Sequence, residues 1–99
     1  MPLRVKISTR AASQIHEAAE WWGENRPAAP GAVRKDIGEA LSLLAQQPSI
    51  GVTYKSARVK GVRRLLVGRI RYFIYYRDTP EALEVLAVWH VSRGKQPSL

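Results

Sequence analysis

Between Arg69 and Asp78 the chain reads RIRYFIYYRD. Four of its eight aromatic residues fall between Tyr72 and Tyr76, with Arg69, Arg71 and Arg77 around them. Guanidinium groups bind phosphate, and flat rings stack on bases, so the combination suits contact with nucleic acid. Side chains alternate across a strand. On that period Ile70, Tyr72, Ile74 and Tyr76 share one face, most simply core, while Arg69, Arg71, Phe73, Tyr75 and Arg77 share the other. The second face has two readings: a cationic, aromatic contact surface, or a solvated face whose rings cover neighbouring strands.

His90 is the one plausible physiological acid or base, although a lone histidine near a strand end is more often structural. A metal-free RNA-cleaving site needs a group to activate a 2′-hydroxyl and cations to stabilise the charged phosphate transition state. Lys60, Arg63, Arg64, Arg71 and Arg93 could supply the cations and His90 the proton shuttle. The set is permissive rather than specific. Other chemistries are excluded. The stretch His16-Glu17-Ala18-Ala19-Glu20 ends in Glu where a metalloprotease helix needs His. Two histidines and no cysteine make a transition-metal site improbable and rule out a disulfide framework. No Gly-rich phosphate loop or G-x-S-x-G turn occurs, and no cofactor is expected.

The charge is segregated. Lys and Arg number 16 against 8 acids, for a net charge of +8. From Ala40 to Arg77 there is no acid, whereas Lys55, Arg58, Lys60, Arg63, Arg64, Arg69, Arg71 and Arg77 lie there. Such a field attracts polyanions or an acidic partner; solubility alone is the plainer explanation, and segregation over nearly forty residues argues against it. No apolar run is long enough to span a membrane. MPLRVKIST lacks the apolar segment of a signal peptide, so no membrane contact and a cytoplasmic location are expected.

These residues need elements to position them. Leu3–Ile7 alternates as a half-buried strand. Ser8 or Thr9 can cap a helix, and Ala12, Ile15, Ala19 and Trp22 follow at helical spacing, with Ala11 and Ala18 widening the stripe. Gly23 and Asn25-Arg26-Pro27 end it. Pro27 and Pro30 precede a second helix with Val33, Ile37, Leu41 and Leu44 on one face and Ala40 beside them, stopped at Gln47-Pro48. Ile50–Lys60 reads as loop. Strands are expected at Val62–Val67, Arg69–Arg77 and Leu83–Val91, with a turn at Asp78-Thr79-Pro80. In the last strand Val85, Ala87, Trp89 and Val91 oppose Leu86, Val88, His90 and Ser92. Both faces are apolar, so a central position is expected. The tail, residues 92–99, is expected to fray. The sum is a single α+β domain over residues 1–99: an N-terminal strand, a two-helix antiparallel hairpin, then a three-stranded antiparallel meander, with the helices packed on one face of the sheet.

The segments GVRRLLVGRIRYFIYYRD and LEVLAVWHVSRGKQP, together with VKISTRAASQIHEAAEWW, resemble the RelE/ParE superfamily of toxins from type II bacterial toxin–antitoxin (plasmid-stabilisation) modules. The resemblance spans nearly the whole chain. It implies a small basic toxin held inactive in a hetero-oligomer by a cognate antitoxin, which docks by a helix in a groove or an added strand. Trp21, Trp22 and Leu44 on the flanks of the helical hairpin are candidates for that groove; core packing is the plainer role for Trp22 and is left open for Trp21. The superfamily divides into ribosome-dependent mRNA endoribonucleases and inhibitors of DNA gyrase, and fold alone does not choose. The RelE-type pattern has an arginine where this chain, aligned on Tyr72, has Phe73, and no tyrosine follows His90. Both departures favour the ParE-like, gyrase-inhibiting reading. The alternatives are a RelE-like nuclease acting on ribosome-bound mRNA through Arg71, His90 and Arg93, and a non-toxic basic binding module. In the toxin readings Lys60, Arg63, Arg64, Arg69, Arg71, Arg77 and Arg93 are the expected target-binding residues.

Overall fold

The computed structural model describes residues 2–99. Strand β1 (Arg4–Ile7) leads into helix α1 (Thr9–Asn25) and helix α2 (Ala32–Gln46). After one 3-10 turn (Pro48–Ile50) come β2 (Val52–Thr53), β3 (Arg63–Val67), β4 (Tyr72–Asp78) and β5 (Ala82–His90). The five strands form one sheet in the order β1-β5-β4-β3-β2. The β2–β3–β4–β5 pairs are antiparallel, and β1 lies parallel to β5. The α+β class, the helical hairpin and the three-stranded meander are as expected from the sequence. The sheet gains one short strand, β2, within the stretch expected to be loop. No helix among the described residues is long and apolar enough to cross a membrane.

Ser8 fixes the start of α1. Its Oγ accepts from the Ala11 N–H at 3.0 Å, satisfying one of the free amides of the first turn. The same hydroxyl donates to the Leu86 carbonyl at 3.2 Å, and the Ser8 N–H donates to Val85 at 3.0 Å. One residue therefore caps a helix and ties it to the central strand. Ala11, Ile15 and Ala18 of α1 and Val33, Ile37, Leu41 and Leu44 of α2 are buried against Ile70, Ile74, Tyr76, Leu83, Val85 and Val88. The expected stripe is right except for Ala12, which is exposed.

β5 is central, as its two apolar faces imply, but its faces are not those of strict alternation. The register pairs Tyr76 with Val85 and Tyr75 with Ala87, so Leu86 is an extra residue in β5. Such a bulge flips the alternation beyond it. Val85 and Val88 both face the helices, while Ala87 and Trp89 join Tyr75 and Val62 on the opposite side.

That opposite side settles the two readings of RIRYFIYYRD. Arg69 and Arg71 are not in the strand; both lie in the turn before Tyr72. Tyr75 is only 1% exposed. It belongs to a second, smaller core covered by Tyr54, Val59 and Leu99. The tail that was expected to fray forms part of this cover. Trp89 Nε1 donates to the Lys95 carbonyl at 2.7 Å, the Tyr54 hydroxyl donates to Gln96 at 2.9 Å, Arg10 donates to the Ser98 carbonyl, and Pro97 is buried. Aromatic area that alternation would leave wet is thus removed from water by the chain itself.

Candidate functional site

At the Tyr72 end of β4 the chain reverses through Gly68–Arg71, a four-residue connection between paired Val67 and Tyr72. Ile70 in this turn is fully buried and anchors it. Arg71 adopts φ 61°, the left-handed region that residues with a Cβ seldom enter. Its backbone is held at both ends: its N–H donates to Val67 at 2.9 Å, and its carbonyl accepts from Val91 at 3.0 Å. The two backbone hydrogen bonds hold Arg71 in this conformation.

Next to it Tyr72 and His90 face each other across β4 and β5, their rings edge to face at 4.9 Å. His90 Nδ1 accepts the Ser92 N–H at 3.0 Å and lies 2.7 Å from Ser92 Oγ. That acceptor role leaves Nε2 as the ring nitrogen available to an incoming group. Burial pushes the Tyr72 phenol above its ordinary value, against the opposing pull of Arg93. Arg93 lies over the Trp89 ring at 4.2 Å. Across the gap, at the end of α1, Arg26 lies over Trp21 at 5.3 Å and over Trp22 at 5.8 Å. Trp21, Arg26, Arg71, Tyr72, His90, Ser92 and Arg93 line an open cleft of about 530 Å³ between the end of α1 and the Gly68–Arg71 turn.

Arg71, His90 and Arg93, singled out in the sequence as one possible constellation, do converge on this cleft. The other candidate cations do not. Arg69 makes a bidentate pair with Asp36 on α2 (2.8 and 2.6 Å), and this guanidinium holds the Asp36 carboxyl below its ordinary value. Arg77 pairs with Glu84 at 2.6 Å on the neighbouring strand. Arg63 donates to the Gly51 carbonyl at 2.9 Å, a brace for the 3-10 turn. Arg64 lies over Phe73 at 4.3 Å and donates to the Tyr75 hydroxyl at 3.2 Å, roofing the second core. Lys60 is exposed on the loop before β3. No ion pair among the described residues involves Arg26, Arg71 or Arg93.

Of the expected antitoxin-groove residues, Trp21 is 48% exposed, but Leu44 is fully buried and is corrected to core. Its neighbour Leu43 is the outward residue of that helical turn, together with Leu66 on β3. Leu43, Leu65 and Leu66 line a groove between α2 and β3, with Asp36 and Glu39 at its rim. Sequence reasoning also passed over Arg26. In the sequence it reads only as part of a helix stop, yet its place four residues after Trp22 is the spacing of side-chain contact on a helix.

Comparison with known proteins agrees with this architecture. The family model described as ParE toxin of type II toxin-antitoxin system, parDE, matches residues 5–94. Y4kP of Sinorhizobium fredii, a proposed toxin, is 31% identical over 87 residues, covering 88% of this chain and 86% of the relative. A chain of the chromosomal ParDE toxin–antitoxin system from P. aeruginosa superimposes with a TM-score of 0.74 at 22% identity, covering 91% of this chain and 97% of that one. The chain belongs to the ParE toxin family and is the toxin component of a type II toxin–antitoxin module.

Proposed function

We propose that this toxin stops replication by binding and inhibiting DNA gyrase in the cytoplasm, and that its antitoxin silences it by docking along the α2–β3 groove. Membership of the ParE family is the observation that carries the gyrase reading. The cluster of unpaired arginines at one end of the sheet is the surface offered to a target complex rich in phosphate. The antitoxin reading rests on the groove itself. Leu43 and Leu66, 43% and 51% exposed, are large apolar groups in water. β2 pairs with β3 only at Arg63 and Arg64, so the outer edge of Leu65–Val67 has no strand beside it among the described residues. An open edge next to an apolar groove accepts a strand or helix from a partner.

The test is a pulse-labelling time course after induction of the toxin alone. DNA synthesis should fall before protein synthesis, and purified toxin should block supercoiling by gyrase. A prior fall in protein synthesis would reject the proposal. One observation favours the ribonuclease alternative: Arg71, His90 and Arg93 share a cleft. New message ends mapped by primer extension soon after induction would select it.

A further inference from the structure

We infer that the cleft between the end of α1 and the Gly68–Arg71 turn is a binding site for one unpaired nucleotide, with its phosphate on Arg71 and Arg93 and its base against Trp21. The inference does not depend on gyrase being the target. Four observations carry it.

The first is composition. Arg26, Arg71, Arg93 and His90 line the cleft, and no carboxylate does. Glu17 lines an adjoining hollow that shares Trp21, Tyr72, His90 and Arg93 with the cleft. Three guanidinium groups without an acid among them repel one another and are relieved by a bound anion. The second is the contrast with the two arginines in and just before β4 that have acids beside them. Arg69 and Arg77 are neutralised by their own carboxylates, whereas the cleft arginines form no ion pair among the described residues. The third is Trp21. An indole 48% exposed on the wall of a cationic cleft offers a stacking surface, and Arg26 beside it adds a cation to that wall. The fourth is rigidity. Arg71 is set in a strained conformation by two backbone hydrogen bonds, so its side chain leaves the backbone from a fixed point. A strained arginine costs stability that glycine would not, and a ligand gives it a reason to persist.

The volume, about 530 Å³, lies in the range of small-molecule sites and accommodates a nucleotide. The carboxylates of an acidic peptide would use the arginines but offer the indole no ring to stack on. Duplex DNA would present only backbone, because its bases are stacked on each other. The unpaired nucleotide is the ligand that satisfies both the cations and the ring.

Fluorescence anisotropy with a labelled single-stranded decathymidylate tests this on the full-length chain. Arg71→Ala should weaken binding about tenfold and reduce the salt slope by about one. Trp21→Ala should weaken it about tenfold with the slope unchanged, and Trp21→Tyr should restore most of the loss. Arg58→Ala, an exposed cation far along the chain, should change affinity less than twofold. Competition by adenosine monophosphate would identify a free nucleotide as sufficient. Failure to compete, with Trp21 dependence retained, would identify the strand as the source. Equal losses in Arg58→Ala and Arg71→Ala, equal binding of duplex, or competition by inorganic phosphate as strong as by the nucleotide would overturn the inference. The assay contains no gyrase, so its failure is distinguishable from failure of the proposed function.

Discussion

The two ends of β4 are built from similar residues and solve opposite problems. At the Asp78 end, Arg77 is neutralised by Glu84. There the buried Tyr76 hydroxyl donates to the Pro48 carbonyl at 2.7 Å and accepts from the Gly51 N–H at 2.9 Å. Arg77 and the Tyr76 hydroxyl both have partners within the chain. At the Tyr72 end, Arg71 has no acid partner among the described residues and sits in a strained backbone conformation beside a cleft. One end is closed by internal bonds; the other keeps its bonding capacity for something outside. Charge count alone does not separate them. What separates them is where the acids lie: Glu84 on β5 reaches Arg77, and no acid pairs with Arg71 among the described residues.

This contrast can be broken from either end. The largest effect is expected at Gly51. A Cβ there would stand 2.3 Å from the Tyr76 hydroxyl oxygen, so Gly51→Ala must displace the ring or the turn. A loss of about 2–3 kcal/mol in urea denaturation is expected. Tyr76→Phe leaves the Gly51 amide and Pro48 carbonyl without their partner and should cost about 1–3 kcal/mol, whereas Tyr72→Phe at the open end should change stability by less than about 0.5 kcal/mol. Arg71→Gly reverses the sign. Relief of the left-handed strain should raise stability by about 0.5–1 kcal/mol while growth arrest weakens, a trade seen by pairing denaturation with a viability assay. Arg77→Ala should cost at most about 1 kcal/mol and leave growth arrest intact.

The smallest effect concerns the Arg69–Asp36 pair. Hydrogen bonding from Arg69 lowers the folded carboxyl below its ordinary value of 3.8. The stability it contributes is therefore present above that value and is lost as pH falls through the lowered folded value. Asp36→Asn should flatten this acid limb in a denaturation series, with a small loss of stability at neutral pH and none below the lowered folded value.

The elements themselves were legible in the sequence because each obeys a local rule: apolar spacing for α1 and α2, a capping serine, alternating or doubly apolar strands. The errors arise where a rule depends on the partner. The Leu86 bulge has no glycine or proline to announce it; only the register against β4 reveals it. Tyr75 and Phe73 read as a wet face because the cover comes from Tyr54, Val59 and the tail, none of which has a strong pattern. Leu43 and Leu44 are neighbours of the same type, so a groove residue and a core residue differ only by the 100° between them on the helix. In the site, Arg71, His90 and Arg93 were named for their chemistry, and the fold brings them to one cleft. Their fourth companion, Arg26, reaches it from the other side of the fold, which a linear reading of a helix terminus does not foresee.

β5 lies between β1 and β4, and among the strands it is the last to be synthesised. While the chain is still growing, β1 has no parallel partner, the Ser8 N–H has no Val85 carbonyl, and the inner edge of β4 is bare. Both cores include residues of β5, so neither can close. The cleft therefore cannot assemble until β5 and Arg93 after it have left the ribosome. Folding then has to join distant segments in one step, which is slow compared with helix formation.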